Sequence, residues 1–209
     1  ILERGAFVGG HTVIAAGTVS VAAGGDTPVE DFVRDIAEAG GRPELAQVLA
    51  ENAGPAVQWL AGMGVAWEPK LFRAVGSGMS ARRNISTGSQ RGGWDMIQAL
   101  STRAKRLGAK TLFEMRARRL IIENGRVVGV VAQTKSGDEV LRYARAVVIA
   151  TGGFTGSREL RSRFAPRLDP AYGTTADTFG LTPDHALGDG ILMGEEAGAK
   201  LVDMDAVEC

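Results

Sequence analysis

A short apolar run that stops at two glycines is the feature of this sequence with the clearest chemical meaning. Residues 146–150 read Ala-Val-Val-Ile-Ala, and Thr151, Gly152 and Gly153 follow. A continuous apolar run of this length is typical of a strand buried on both faces of a sheet. Because glycine has no Cβ, another backbone or a flat ligand can approach closely where the strand ends. Open α/β sheets bind their ligands beyond the carboxyl ends of the strands, so the run predicts a nucleotide-type cofactor.

Two features near the start of the chain suit the same kind of ligand. Glu3 ends the apolar stretch Ile1-Leu2, a position from which an acid can hydrogen-bond a ribose hydroxyl. The small residues of segments 9–12 and 15–17 can present several backbone N–H groups to a pyrophosphate or to the edge of a ring. Each feature also has a plain structural interpretation: a solvated acid at a strand end, and a turn packed tightly under a helix.

Several other chemistries are disfavoured. Segment 76–81 formally matches the dinucleotide pattern G-x-G-x-x-A, but residues 82–88 lack the amphipathic pattern of the helix that must follow it. The chain has two histidines, His11 and His185, no G-x-S-x-G motif, and no His or Cys pair at metal-ligand spacing, which argues against hydrolysis and zinc. The sequence therefore predicts no metal ligand and identifies no catalytic residue.

The composition limits the partners and the location of the protein. The 209 residues carry 24 basic and 24 acidic side chains, so charge gives no reason to expect nucleic acid or an anionic membrane as a partner. No apolar run approaches the length of a membrane span. The single cysteine, Cys209, excludes an internal disulfide and is compatible with a reducing compartment, which favours the cytoplasm. Both ends, Ile1 and Cys209, read as if cut from longer elements, so an export signal could have preceded the chain.

Helical periodicity and its absence define the first half of the chain. Helical patterns cover residues 29–36, 43–60 and 94–107, and Gly54-Pro55 is expected to break or kink the second. Residues 65–91 have poor periodicity and are predicted to form a long, irregular excursion.

An antiparallel meander is predicted between the helical region and the apolar run. Strand patterns over 112–122 and 127–132 flank Asn124-Gly125, a dipeptide typical of a type I′ hairpin turn. A second glycine-rich turn, 187–190, precedes a helical pattern. The fold class is therefore α/β, with a small antiparallel sheet inserted before a buried strand. Three meander arginines are predicted to lie on a solvated sheet face: Arg116, Arg118 and Arg119.

Taken in order, these motifs resemble those of the flavoprotein family of fumarate reductases and succinate dehydrogenases, flavocytochromes c, urocanate reductases and 3-ketosteroid dehydrogenases. The family's "L-E-K", "G-G-N-[ST]…A-A-G-G", "A-T-G-G-[FY]" and "T-G-D-G" have counterparts in residues 2–4, 9–17, 150–154 and 187–190. Nearly the whole chain is covered. The sequence departs from the family at His11, where Asn is usual, and at Thr18, where a second glycine is common.

The resemblance implies a Rossmann-like FAD-binding domain over residues 1–209. The domain is expected to be incomplete, because the family's leading G-x-G-x-x-G strand and its substrate clamp domain have no counterpart in the chain. Within it, residues 26–110 would be helical and residues 111–144 would form the meander. Residues 145–209 would supply the buried strand, the glycine turn and the start of the connection to the substrate domain.

The resemblance also implies which residues hold FAD. Glu3 would bind the adenosine ribose, Asp189 would accept a hydrogen bond from the ribityl chain, and Ala117 would touch the adenine through its backbone. The other implied cofactor-binding residues are Arg4, Gly10, His11, Thr12, Ala16, Gly17, Ala150, Thr151 and Gly152.

The implied activity is hydride transfer between the flavin and a C–C double bond of a small organic acid or steroid. FAD and a small-molecule substrate are therefore the expected partners, with an oligomer or a redox partner domain as further expectations. The family's substrate-binding residues would lie beyond Cys209, which leaves two alternatives. One is a catalytically silent cofactor-domain fragment, and the other is a nucleotide-binding module without a redox role.

Overall fold

The computed structural model describes residues 1–22, 27–73, 80–168, 173 and 186–207 of the chain. The chain divides into two compact units, one of residues 1–11 with 110–209 and one of residues 12–109. The glycines of the 76–81 pattern, His185 and Cys209 lie outside the described residues.

The described residues of the unit 12–109 form three helices and a two-stranded sheet. The helices are α1 (Val29–Glu38), α2 (Pro43–Ala61) and α3 (Gly92–Arg106), and the strands β1 (Thr18–Ser20) and β2 (Asn84–Ser86) pair antiparallel. All three predicted helices are therefore confirmed, and α1 packs against α2. The buried side chains of α2 recur every three or four residues, as expected for one face of a helix: Ala46, Ala50, Ala53 and Val57.

Proline 55 does not interrupt α2, which is continuous from Pro43 to Ala61. The predicted break at Gly54-Pro55 is therefore wrong, while the alternative of a kink stays a prediction. A proline clashes with the Cβ of the residue before it, and Gly54 has none. Pro55 and Glu51 both lie on the exposed face, so water can replace the helical hydrogen bond that the proline cannot donate.

Parts of the described segments 65–73 and 80–91 are more ordered than their periodicity predicts. Besides β2, Trp67 bridges Thr87 and Phe72 bridges Asn84, both antiparallel. The N–H of Glu68 donates to the carbonyl of Ser86 at 2.8 Å. The prediction of an irregular excursion is wrong for these paired residues. Their order comes from hydrogen bonds between segments that are distant in the sequence, which a local pattern cannot show.

A buried ion pair ties the segment after residue 80 to α1. Arg83 is 0 % exposed, and its Nη2 donates to Oδ2 of Asp35 at 2.7 Å and to the Ser80 hydroxyl at 3.1 Å. The Asp35 side chain is 8 % exposed and also accepts from the N–H and hydroxyl of Ser80. The guanidinium lies 4.8 Å from the ring centroid of Phe32, a cation–π distance. Burial alone raises the pKa of Asp35, but the hydrogen bonds from Ser80 and the positive charges of Arg83 and Arg34 hold the pKa below its ordinary value of 3.8.

A three-stranded antiparallel meander forms the sheet of the unit of residues 1–11 and 110–209. Its strands β3 (Met115–Glu123), β4 (Arg126–Thr134) and β5 (Glu139–Tyr143) lie in the order β3-β4-β5. The predicted type I′ turn is confirmed, since Asn124 and Gly125 have φ angles of 51° and 74°. Residues 129–132 of the central strand are all buried, so both of its faces are covered.

The run 146–150, predicted to be a buried strand, is not one in the structure. Among the described residues it has no strand partner, and Val148 is 88 % exposed. An apolar run becomes a buried strand only when neighbouring strands and helices cover it, and none of the described elements does so here. The prediction of burial is therefore corrected for these residues.

The described residues of this unit also form two short helices, α4 (Arg158–Phe164) and α5 (Asp189–Glu196). None of the described helices is long and apolar enough to cross a membrane.

The start of α4 offers a test of local stability. Ser157 is its N-cap, and the Ser157 hydroxyl accepts the N–H of Leu160 at 3.2 Å. We expect Ser157→Ala to lower the free energy of unfolding by about 1 kcal/mol, because that N–H loses its acceptor. Chemical denaturation measures the loss. Ser157→Asp keeps an acceptor and should restore most of it; equal losses in both variants would contradict the capping role.

Candidate functional site

Glu3 lies at the end of a short parallel pairing with the segment that leads into β3. Leu2 bridges Leu112 in parallel, the N–H of Glu3 donates to the carbonyl of Leu112 at 2.9 Å, and its carbonyl accepts the N–H of Met115 at 2.9 Å. The carboxylate oxygen Oε1 accepts the N–H of Gly5 at 2.7 Å. A carboxylate offers about four lone-pair positions, so this bond fixes the side chain while capacity remains for a ligand hydroxyl.

The two glycine-rich turns, 151–153 and 188–190, lie against each other. The N–H of Gly188 donates to the carbonyl of Gly153 at 3.0 Å, and the N–H of Gly190 donates to the Thr151 hydroxyl at 3.1 Å. A Cβ on Gly190 would overlap that hydroxyl, so the contact requires glycine. Gly152 has a φ of +77° and open space within 4 Å of the position of a Cβ. The pair of turns is thus packed on one side and open on the other.

Asp189, the first residue of α5, is the centre of a charged cluster. Nε of Arg116 donates to its Oδ2 at 2.9 Å, and Nη2 of Arg116 donates to its Oδ1 at 2.7 Å, a bidentate arrangement. Nη1 of Arg4 lies 3.7 Å from Oδ2. The side chains of Arg4 and Arg116 are 27 % and 31 % exposed. Two guanidinium groups therefore lie near the one carboxylate of Asp189.

Arg116 is a residue that the sequence did not identify as part of this site. The prediction of a solvated sheet face is wrong for Arg116, because the start of β3 lies against α5. Arg119, which lies 3.8 Å from Glu139 and is 57 % exposed, does match that prediction. The Arg116–Asp189 contact joins residues 73 positions apart, and no local spacing could have indicated it.

In the unit of residues 12–109, the turn after Thr12 is packed against the start of α3. The N–H of Gly93 donates to the carbonyl of Ala15 at 3.0 Å, and the N–H of Thr87 donates to the carbonyl of Gly17 at 3.1 Å. A Cβ on Gly93 would overlap the carbonyl oxygen of Thr12. The structural interpretation of the turn, tight packing under a helix, is therefore confirmed. The pair Gly92-Gly93 at the head of a helical pattern was the sequence signal for it.

The remaining predicted residues lie in three places. Gly10, His11 and Thr12 belong to a 3-10 helix, Gly10–Ile14, and Ala16 is exposed in the turn that follows. Ala117 pairs with Ala132 on β4, and the strand register shifts immediately after it. Ala150 is exposed in the run described above. Their contacts with FAD stay a prediction.

The groups around Asp189 fit a dinucleotide such as FAD. Guanidinium groups match the geometry and charge of phosphate oxygens, and carboxylates accept ribose and ribityl hydroxyls. The open side at Gly152 leaves room for a backbone or ring to approach. In the part of the chain that the structure describes, no group of three or more His, Cys, Asp or Glu residues could hold a metal ion.

The comparisons with known sequences give one consistent result. A family model described as an FAD binding domain matches residues 1–209. The chain is 32 % identical to urocanate reductase of Eggerthella lenta and 30 % identical to a probable fumarate reductase of Shewanella frigidimarina, in both cases over 100 % of its length. It covers 35 % and 36 % of these proteins, so it spans about a third of the length of the curated relatives it matches.

Two solved structures have a similar fold. A flavocytochrome c3 fumarate reductase in an open conformation matches with a TM-score of 0.83 and 29 % identity, over 99 % of this chain and 37 % of that one. A 3-ketosteroid-Δ4-(5α)-dehydrogenase from Rhodococcus jostii matches with a TM-score of 0.80 and 27 % identity, over 98 % of this chain and 50 % of that one. These matches confirm the predicted fold class.

Proposed function

Because the chain belongs to the FAD binding domain family, we propose that it forms the cofactor-binding part of an oxidoreductase that acts on a C–C double bond. The observation that carries the proposal is the family match over residues 1–209, with relatives that are named as reductases of fumarate and urocanate. Fumarate and urocanate both have a double bond conjugated to a carboxylate. The substrate class is accordingly a small unsaturated organic acid, with a ketosteroid as the second candidate because of the similar dehydrogenase fold.

The cofactor is FAD, and the residues of this chain bind and orient it. FAD supplies the hydride acceptor or donor when bound, while the protein fixes its position and electrostatic surroundings. Glu3 would accept a hydrogen bond from a ribose hydroxyl, and Asp189 would accept one from a ribityl hydroxyl. A donor of the protein already holds each of these carboxylates in place. Proton transfer to the substrate carbon is assigned to no residue of this chain.

Three further points concern association with other chains, a redox partner and the location of the protein. The apolar side chains of Val148 and Ile149 are exposed, and exposed apolar surface of this kind favours association with another chain or domain. A redox partner domain would fit a chain that spans about a third of its relatives. A cytoplasmic location rests on the single cysteine.

The absorption spectrum of the purified chain tests the function. We expect a yellow protein, or one that quenches flavin fluorescence when FAD is added. Glu3→Ala should weaken FAD binding by about tenfold or more, since a hydrogen bond from the ribose hydroxyl to a charged acceptor is lost. The matched control is Glu139→Ala on β5, an exposed acid that should have no effect. A colourless protein that does not bind added FAD would favour the catalytically silent fragment. Selective binding of another nucleotide would favour a nucleotide-binding module without a redox role.

A further inference from the structure

Helix α2 has a second apolar face, which is exposed. The helix packs into its unit through small side chains, three alanines and Val57. Its four largest exposed apolar side chains take no part in that packing, and they are 52–60 % exposed: Leu45, Val48, Leu49 and Trp59. In a helix of 3.6 residues per turn these four side chains lie within about 100° of one another, and the buried face is centred about 120° away.

The exposed face of α2 carries no charged side chain. Asn52 lies at its middle, and the side-chain N–H of Asn52 donates to the carbonyl of Val48 at 2.8 Å, so the amide is turned back onto the helix. The two acids of α2, Glu44 and Glu51, lie on the adjoining polar face, and α2 has no Lys or Arg. The solvent side of a surface helix is normally polar. A row of large exposed apolar side chains therefore marks a face that another element covers.

The size of this face indicates which kind of partner covers it. From Leu45 to Trp59 the face is about 21 Å long, at a helical rise of about 1.5 Å per residue. Four large side chains over that length fall short of the roughly 800 Å² that each partner of a stable complex buries. A partner within the same polypeptide needs less area, because a linked segment acts at an effective concentration of about millimolar. The chain spans about a third of the length of its curated relatives, so a protein of their size has further residues that can supply the partner.

We propose that the face of α2 formed by Leu45, Val48, Leu49 and Trp59 docks a part of the same polypeptide outside residues 1–209. The docked part presents aliphatic side chains to this face. Along the edge beside Glu44 and Glu51 it presents Lys or Arg, since α2 carries two acids and no base. The inference goes beyond the proposed function, because it concerns how the cofactor-binding part joins the rest of the protein and involves no contact with FAD.

The test is acrylamide quenching of Trp59 fluorescence in the full-length protein and in the 209-residue chain, both without FAD. Subtracting the signal of Trp59→Phe isolates Trp59 from the other tryptophans. We expect the quenching constant of Trp59 to be at least about threefold lower in the full-length protein, because the docked segment buries the indole ring. Equal quenching constants in the two proteins would overturn the inference.

A matched pair of variants shows that the shielding depends on this face. Leu49→Asp places a charge within it and should raise the quenching constant of Trp59 in the full-length protein towards the value in the 209-residue chain. Gln58→Asp places the same charge on the polar face of α2 and should leave the constant unchanged. Both positions are exposed, so neither change should unfold the chain.

Two further outcomes would contradict the proposal. One is shielding of Trp59 that persists in Leu49→Asp, because the cover would then lie elsewhere. The other is a dimer of the 209-residue chain, seen by sedimentation, that Leu49→Asp dissociates, because a second copy would then occupy the face. Neither measurement involves FAD, so the proposed function can fail while this inference holds, and the reverse.

Discussion

Replacing Arg83 with methionine should lower the free energy of unfolding by about 3–5 kcal/mol. The change leaves the Asp35 carboxylate, whose side chain is 8 % exposed, without its cation in a site that water barely reaches. It also removes the guanidinium that lies over Phe32. Chemical denaturation followed by tryptophan fluorescence measures the loss. A double variant, Arg83→Met with Asp35→Leu, should recover part of it, because no buried charge then remains.

The same pair gives stability a defined dependence on pH. The pKa of Asp35 is lower in the folded protein than its ordinary value of 3.8. The contribution of Asp35 is therefore complete above about pH 4 and is lost as the pH falls through the folded pKa, since protonation ends its attraction to Arg83. Arg83→Met removes one of the charges that lower this pKa, so the folded and unfolded pKa values of Asp35 come closer together and the variant should lose less stability on acidification than wild type does.

An exposed pair provides the contrast for this prediction. Arg119 and Glu139 are 3.8 Å apart and both 57 % exposed, so Arg119→Met should change the free energy of unfolding by at most about 1 kcal/mol. If Arg83→Met costs no more than this control, the Arg83–Asp35 pair is not buried in solution.

Adding one methyl group at Gly93 should destabilise the protein by about 3 kcal/mol or more. A Cβ at this position would overlap the carbonyl oxygen of Thr12, and a backbone atom has no side-chain rotamer into which it can move. Gly93→Ala must therefore separate the turn after Thr12 from the start of α3, and the bond from Gly93 to Ala15 would be lost with it. Thermal unfolding followed by circular dichroism measures the effect, and limited proteolysis shows where the chain has opened.

Gly194 is the matched control, because it is also a helical glycine. Its Cβ would lie 3.7 Å from the Cβ of Ala199, an ordinary van der Waals distance. Gly194→Ala should be neutral, or stabilising by up to about 1 kcal/mol, since alanine favours the helical backbone. A Gly93→Ala variant as stable as this control would contradict the close packing of the turn on α3.

The features that the sequence predicted correctly depend on residues close together in the chain. The type I′ turn at Asn124-Gly125 follows from two residues that tolerate positive φ. The helix α1 follows from apolar residues at helical spacing around Phe32. The ordered motifs also led to the correct family, and within them a Cβ at Gly17 or Gly190 would overlap neighbouring atoms.

The features that the sequence did not predict depend on residues far apart. Arg116 and Asp189 are separated by 73 positions, and Asp35 and Arg83 by 48. A local pattern cannot show which distant carboxylate an arginine will meet. The prediction of a buried strand at 146–150 is wrong for a related reason. An apolar pattern shows that a segment could be buried, but whether it is buried depends on the elements that pack against it.

The helix α5 has little stability of its own. Its eight residues, Asp189–Glu196, make about two turns, too few to persist in water without outside support. Two contacts hold its start: the hydrogen bond from the N–H of Gly190 to the Thr151 hydroxyl, and the bidentate hydrogen bonds from Arg116 to Asp189. In local unfolding, the turn 151–153, the start of β3 and the first turn of α5 therefore open and close together as one cooperative unit. A ligand that binds to any one of them slows the opening of all three.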